Sequence, residues 1–196
     1  MAELQARRNA ETTDDIATVA LGLFAERGFA QVTMEDIARA AGVSRSTLYR
    51  RFPTKDHVVL EVPKRWLAAW DAAAAELPDA DPLVVAEASI RAVARYIDAH
   101  RVEVLTAFAA LDESPALRSA GASNDEWINR VVTLLRREPI NLPGSTPVVI
   151  AGAYLGAIDA MMTQWISNGG RGSVLRETTA LLKRLRPIWP VPGTGS

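Results

Sequence analysis

Apolar positions recur with a helical period along the chain. Ile16, Val19, Ala20, Leu23 and Phe24 fall at i, i+3, i+4, i+7 and i+8, the buried stripe of an amphipathic helix. "ERGF" closes it, with Gly28 as a left-handed C-cap. Thr33 followed by Asp36 is a capping box that opens a short second helix with Met34, Ile37, Ala38 and Ala41 inward. Gly42 makes a tight turn, and Ser44 caps a third helix on which Leu48 and Phe52 form the inward pair and Val43 can staple against Leu48. Pro53-Thr54 break and recap the chain. A long helix is predicted from Lys55 to Glu76, where Val58, Val62, Trp66 and Trp70 recur every fourth residue. Further helices are predicted over Pro82–His100, Arg101–Glu113, Ser123–Arg137, Pro147–Asn168 and Ser173–Arg186. The Pro/Gly-rich end "PIWPVPGTGS" reads as frayed after Pro187. No alternating β-branched run predicts a strand. The expected fold is all-α, with an N-terminal three-helix domain over residues 1–54 and a C-terminal helical domain over 55–196.

Composition narrows the function classes. A net charge of −1 and a pI of about 6.2 give no bulk signal for nucleic acid or membrane, so any DNA-binding surface must be locally basic. It is locally basic: Val43–Arg65 holds six basic residues (Arg45, Arg50, Arg51, Lys55, Lys64, Arg65) against two acidic ones (Asp56, Glu61), a local charge of +4. The absence of cysteine excludes disulfides and thiolate metal sites. With only His57 and His100, a histidine-rich metal site is excluded too, and no cofactor is implied. The N-terminus has no apolar core of the signal-peptide kind, and the run Val148–Ile158 is too short to span a bilayer. A soluble, cytoplasmic protein with no membrane partner is the expectation. Nor does the chain hold a GxSxG, an HExxH or a phosphate-cradling glycine loop, so an enzyme is not expected.

Two short helices joined by a glycine-containing turn make a helix-turn-helix, whose second helix can enter a DNA major groove. With Leu48 and Phe52 inward, Ser46, Thr47 and Arg50 take the opposite arc, with Arg45 and Tyr49 on one flank and Arg51 on the other. Small residues let the helix approach base edges, and Arg45 offers a bidentate fork to guanine. Thr47 can bond a base or touch a thymine methyl. Tyr49, Arg50, Arg51 and Lys55 can hold phosphates, as can the backbone N–H groups after Thr54. The stretch "TMEDIARAAGVSRSTLYRRFPTK" closely resembles the DNA-binding signature of the TetR family of bacterial transcriptional regulators. That resemblance, over about Ile16 to Lys55, implies a homodimeric, all-helical repressor (less often an activator) with a variable C-terminal ligand-binding domain. It also implies Thr33, Ser44, Arg45, Ser46, Thr47, Tyr49 and Lys55 as DNA contacts. Two departures stand out: Ser46, where many members have glycine, and Pro63, inside what should be one long helix.

In the C-terminal region Trp66, Trp70, Tyr96, His100, Phe108, Trp127, Met162 and Trp165, with Met161 and Asp159 beside them, read either as plain core or as the walls of a ligand pocket between helices. On the second reading the ligand is a small, mainly apolar molecule, and Pro63 is a flex point between the tryptophans and Lys55. Gly152 and Gly156 put small residues on one helix, and Leu175, Thr178, Leu182 and Leu185 form a narrow seam on the next. Two such helices per subunit would build a two-fold four-helix interface. The reading that results is a homodimeric repressor released from a double-stranded, inverted-repeat operator by a small-molecule effector. The competing class is a helical ligand-binding or scaffold protein that never touches DNA.

Overall fold

The computed structural model describes residues 2–117, 125–137 and 147–186. In chain order the helices are α1 (Ala2–Arg27), α2 (Met34–Ala40), α3 (Arg45–Arg51), α4 (Lys55–Val59), α5 (Glu61–Ala75), α6 (Pro82–Ala99), α7 (Arg101–Glu113), α8 (Asp125–Leu135), α9 (Pro147–Ser167) and α10 (Val174–Leu185). No strand occurs among the described residues, so the all-α expectation holds. The tail after Pro187 and the connector from Pro139 lie outside the described residues.

The long helix expected from Lys55 is two helices. α4 ends at Val59, Leu60 takes an αR C-cap, and α5 begins at Glu61. Pro63 accounts for the break. It has no N–H to give the Val59 carbonyl, and its ring would clash there inside a continuous helix. Placed as the third residue of α5, it occupies a first-turn position whose N–H would be orphaned anyway. Pro63 therefore starts a helix and does not bend one.

The chain forms two compact units, and none of their boundaries falls at 54/55. One unit is Met1–Arg65 with His100–Ala122, the other Trp66–Ala99 with Ser123–Ser196. α4, the first residues of α5 and the whole of α7 thus join the N-terminal helices. Arg65 is one reason. Its Nε bonds the Asp14 carboxylate at 2.7 Å, its Nη2 the Thr18 hydroxyl at 2.9 Å and its Nη1 Glu103 of α7 at 2.8 Å. Ile16, Ala20, Phe24, Ile37, Leu48, Phe52, Val58 and Val62 are buried in this unit. The Ser114 hydroxyl donates to Asp56, fastening the end of α7 to α4.

The second unit packs around Trp70, Val85, Ile90, Val131, Leu135, Ile150, Tyr154 and Leu182. α9 is longer than the Val148–Ile158 run suggests. Its 21 residues would suffice, by length and composition, to cross a membrane. Instead one face (Ile150, Ala151, Tyr154, Met162, Trp165) is buried in the unit, and the Tyr154 hydroxyl donates to the Leu185 carbonyl at 3.1 Å. Burial, with the Glu87 carboxylate nearby, pushes the Tyr154 phenol up to about 12, so it stays a donor across the physiological range.

Asp98, at the end of α6, holds the start of α10. Its carboxylate accepts the Val174 and Leu175 N–H groups at 2.8 and 3.1 Å and the Ser173 hydroxyl at 2.6 Å, while Ser173 itself caps Arg176. Charge-assisted bonds to orphan helix donors are the stronger kind. Asp98→Ala is therefore expected to destabilise the protein by about 2 kcal/mol. Urea denaturation checks this, and an unchanged midpoint would mean that the cap is idle.

Candidate nucleic-acid interface

Two seven-residue helices carry the site, too short to persist without end caps. At α2 the Thr33 hydroxyl accepts the Asp36 N–H at 3.2 Å and donates to the Asp36 carboxylate at 2.6 Å, which in turn accepts the Thr33 N–H at 3.1 Å. The expected capping box is present in full. Those bonds from Thr33 hold the Asp36 carboxyl below its ordinary 3.8, so its contribution is complete above that value and fades as pH falls through the lowered one. At α3 the Ser44 hydroxyl accepts the Thr47 N–H at 3.1 Å and lies 2.9 Å from the hydroxyls of both Ser46 and Thr47. Gly28 and Gly42, at φ 85° and 65°, turn the chain into and out of α2 in the left-handed region expected of them.

Leu48 and Phe52 are buried, which leaves Ser44, Arg45, Ser46, Tyr49 and Arg50 exposed and Thr47 half-exposed. The arc expected to face DNA is thus open. The cations are not used as the charge count suggests. Arg45 pairs with Glu35 of α2 at 2.5 Å. Arg51 turns inward, and its Nη1 donates to the Thr13 hydroxyl of α1 at 3.0 Å. Lys64 pairs with Glu61 at 2.6 Å. Lys55, expected at a phosphate, sends its ammonium to the carbonyls of Phe29, Val32 and Ala30 at 2.6, 3.2 and 3.3 Å, and it stands 4.3 Å above the Phe29 ring centre. Of the six basic residues between Val43 and Arg65, Arg50 is the one that makes neither an ion pair nor an internal hydrogen bond among the described residues.

Glu35 is the residue that sequence reasoning missed. It sits inside the capping-box helix, ten positions before Arg45, and only the turn at Gly42 brings the starts of α2 and α3 together. The pair is exposed, so it orients the Arg45 fork more than it stabilises the fold.

The other sequence-assigned residues are scattered. Trp70 is buried in the core of the second unit, 3% exposed and edge-on to the half-buried Trp127, with ring centres 6.0 Å apart. Trp66 and Tyr96 are half-buried in the same unit, whereas His100 and Phe108 belong to the other. His100 is the exposed N-cap residue of α7 and makes no side-chain cap bond. Met162 and Trp165 are buried on α9, and Trp165 borders a cleft of about 210 Å³ with Met161, Arg171 and Arg176. The proposed dimer seam on α10 needs correction. Thr178 and Leu182 are 1% and 0% exposed within the subunit, so they have no surface left for a second chain. Leu175 and Leu185 are half-buried, and Leu185 packs on the core. Gly152 and Gly156 are exposed, with nothing within 4 Å of where a Cβ would stand.

A capped helix-turn-helix with an open polar arc defines a DNA-binding module of the major-groove type. Residues 12–62 match the family model described as bacterial regulatory proteins, tetR family. Over this segment, about a quarter of the chain, it is similar to the DNA-binding region of the TetR family of bacterial transcriptional regulators. The HTH-type transcriptional regulator EthR of Mycolicibacterium smegmatis is 28% identical over 142 residues, which is 67% of this chain and 65% of EthR. The HTH-type transcriptional repressor KstR2 of Rhodococcus jostii is 40% identical over 53 residues, 27% of this chain and 26% of KstR2. The matches thus span less than two thirds of these relatives' lengths. Among solved structures, FadR of Thermus thermophilus, a TetR-family repressor crystallised with lauroyl-CoA, shares the fold at a TM-score of 0.68 and 21% identity, covering 94% of this chain and 100% of FadR.

Arg45→Ala is expected to lose about 1–3 kcal/mol on the preferred operator and to relax selectivity at one base position. Glu35→Gln should act oppositely on unrelated DNA. It removes a negative charge beside the phosphates, tightens non-specific binding and narrows the specificity ratio. Fluorescence anisotropy on operator and scrambled duplexes reads both variants. Wild-type behaviour from both would mean that Arg45 does not read a base.

Proposed function

We propose that the chain is a homodimeric transcriptional repressor that places α3 in successive major grooves of an inverted-repeat operator and leaves it when a small, mainly apolar molecule binds the helical C-terminal region. The open arc of Ser44, Arg45, Ser46, Tyr49 and Arg50 over the buried Leu48 and Phe52 carries the DNA-binding part. An enzymatic role has no counterpart in this constellation of hydroxyls and guanidinium groups.

Dimerisation rests on α9. Gly152 and Gly156 lie exposed on a helix that also leaves Val148 and Val149 at 52% and 61% exposure. Small residues on an exposed apolar face suit close approach of a second helix, and a second copy of the chain supplies it symmetrically. The homodimer in turn supplies the paired half-sites that an inverted repeat requires. Release by an apolar ligand is supported by the aromatic and methionine content of the second unit, and it fits a repressor of the same fold being complexed with lauroyl-CoA. Any such ligand must bind the DNA-incompetent state more tightly, because equal affinity shifts nothing.

A gel shift against fragments of the source genome tests the whole reading, and the bound fragments should contain inverted repeats. Light scattering should find a dimer at micromolar concentration. Gly156→Leu should weaken that dimer by overpacking the contact, while the helix-turn-helix stays folded. A wild-type monomer that binds single half-sites would remove both the interface and the paired operator.

A further inference from the structure

We propose that Lys55 is a positioning residue for DNA recognition: it cages the connection between α1 and α2 and makes no phosphate contact. The proposal rests on the DNA-binding reading above and sharpens it.

An ammonium has three N–H donors, and three carbonyls of one short stretch (Phe29, Ala30 and Val32) surround this one at 2.6–3.3 Å. The Phe29 ring below it, at 4.3 Å, adds a cation–π contact. Phe29 is itself locked, buried and edge-on to Phe24 at 5.1 Å. A lysine at the first position of a helix is electrostatically misplaced, since the α4 N-terminus carries positive partial charge. Turning the charge onto carbonyls just past the C-terminus of α1 removes that penalty and gives those carbonyls a donor. The stretch is held from its other side as well. The Ala30 N–H donates to Glu113 at the end of α7 at 2.9 Å, and Ser114 ties the same end of α7 to Asp56, the residue after Lys55.

These bonds fix where Val32 hands the chain to the Thr33 cap, and so fix the pose of α2 and α3 relative to α1. To reach a phosphate, Lys55 would have to leave all four partners and orphan the carbonyls. The positioning role predicts that removing the ammonium misplaces the recognition helix without removing a counterion-releasing contact. Operator binding then falls while the salt dependence stays the same.

Two measurements decide it. The first uses wild-type protein. The chain has three lysines, Lys55, Lys64 and Lys183, so reductive methylation followed by peptide mass analysis reads each amine separately. A caged Lys55 reacts far more slowly than Lys183 both with and without operator. Reaction as fast as Lys183 in free protein, with protection only on DNA, would overturn the proposal. The second uses Lys55→Met, which keeps the stem and removes the charge, at a temperature where circular dichroism confirms folding. Operator affinity should drop on the order of tenfold, unrelated duplex should bind unchanged, and the slope of log K against log [salt] should stay at the wild-type value. A slope shallower by about 0.9 identifies a phosphate contact. Unchanged operator affinity identifies a residue that serves stability alone. Either result overturns the proposal. If Lys55→Met does not fold, the labelling result stands by itself. If the wild type binds no DNA, it is the functional reading that fails, and the labelling still reports whether the cage exists.

Discussion

A seven-residue helix has more unsatisfied backbone groups at its ends than hydrogen bonds in its middle, and two such helices carry the proposed DNA-facing surface here. Everything around them serves to satisfy those ends. Thr33 and Asp36 close the start of α2 reciprocally, and Ser44 closes the start of α3. The buried pair Leu48 and Phe52 then presses α3 onto the unit's core. With its ends and its apolar face accounted for, α3 can leave its remaining side chains to solvent. An exposed recognition surface follows from a frame that asks nothing of it.

Electrostatics follow the same economy. A stretch with a formal charge of +4 looks like a broad phosphate-binding patch, yet half of its cations are turned into the unit. Arg65 braces α1 and α7, Arg51 reaches Thr13, and Lys55 holds carbonyls. The outward cations are Arg50, a Lys64 paired with Glu61, and an Arg45 that Glu35 already orients. Such an interface depends less on bulk attraction and more on a few aimed groups, which favours discrimination over general stickiness for DNA.

What the sequence disclosed, and what it did not, divides by sequence separation. Caps, turn glycines and the inward face of α3 involve partners within four residues, so local spacing revealed each one. Arg65 meets Asp14 at a separation of 51 residues, Arg51 meets Thr13 at 38, and Lys55 meets Phe29 at 26. No local pattern predicts such pairings, and local spacing alone turns Arg51 and Lys55 outward. Pro63 escapes local spacing for a different reason. Proline is hostile to helix interiors but welcome in a first turn, and only the position of the break at Leu60 says which applies. Trp70 and Thr178 show a third limit. An amphipathic stripe says that a face is buried, not whether its partner is the same chain, a second copy or a ligand.

The break at Leu60 also changes how a signal can reach α3. A continuous rod from Lys55 to Trp70 would have carried tilt directly; two helices meeting at a capped residue do not. The connections that do converge on the α1–α2 stretch are side-chain bonds: Lys55 from α4, Glu113 from α7, and Ser114 through Asp56. Each is made or broken by a displacement of about an ångström, because hydrogen bonds weaken steeply beyond normal length. A change at the end of α7 that costs Ala30 its acceptor leaves Lys55 alone to hold the stretch. The recognition helices then keep their internal caps and their fold while losing a fixed orientation. In this arrangement the helix-turn-helix can stay folded while its orientation is set by how many of these ties hold at once.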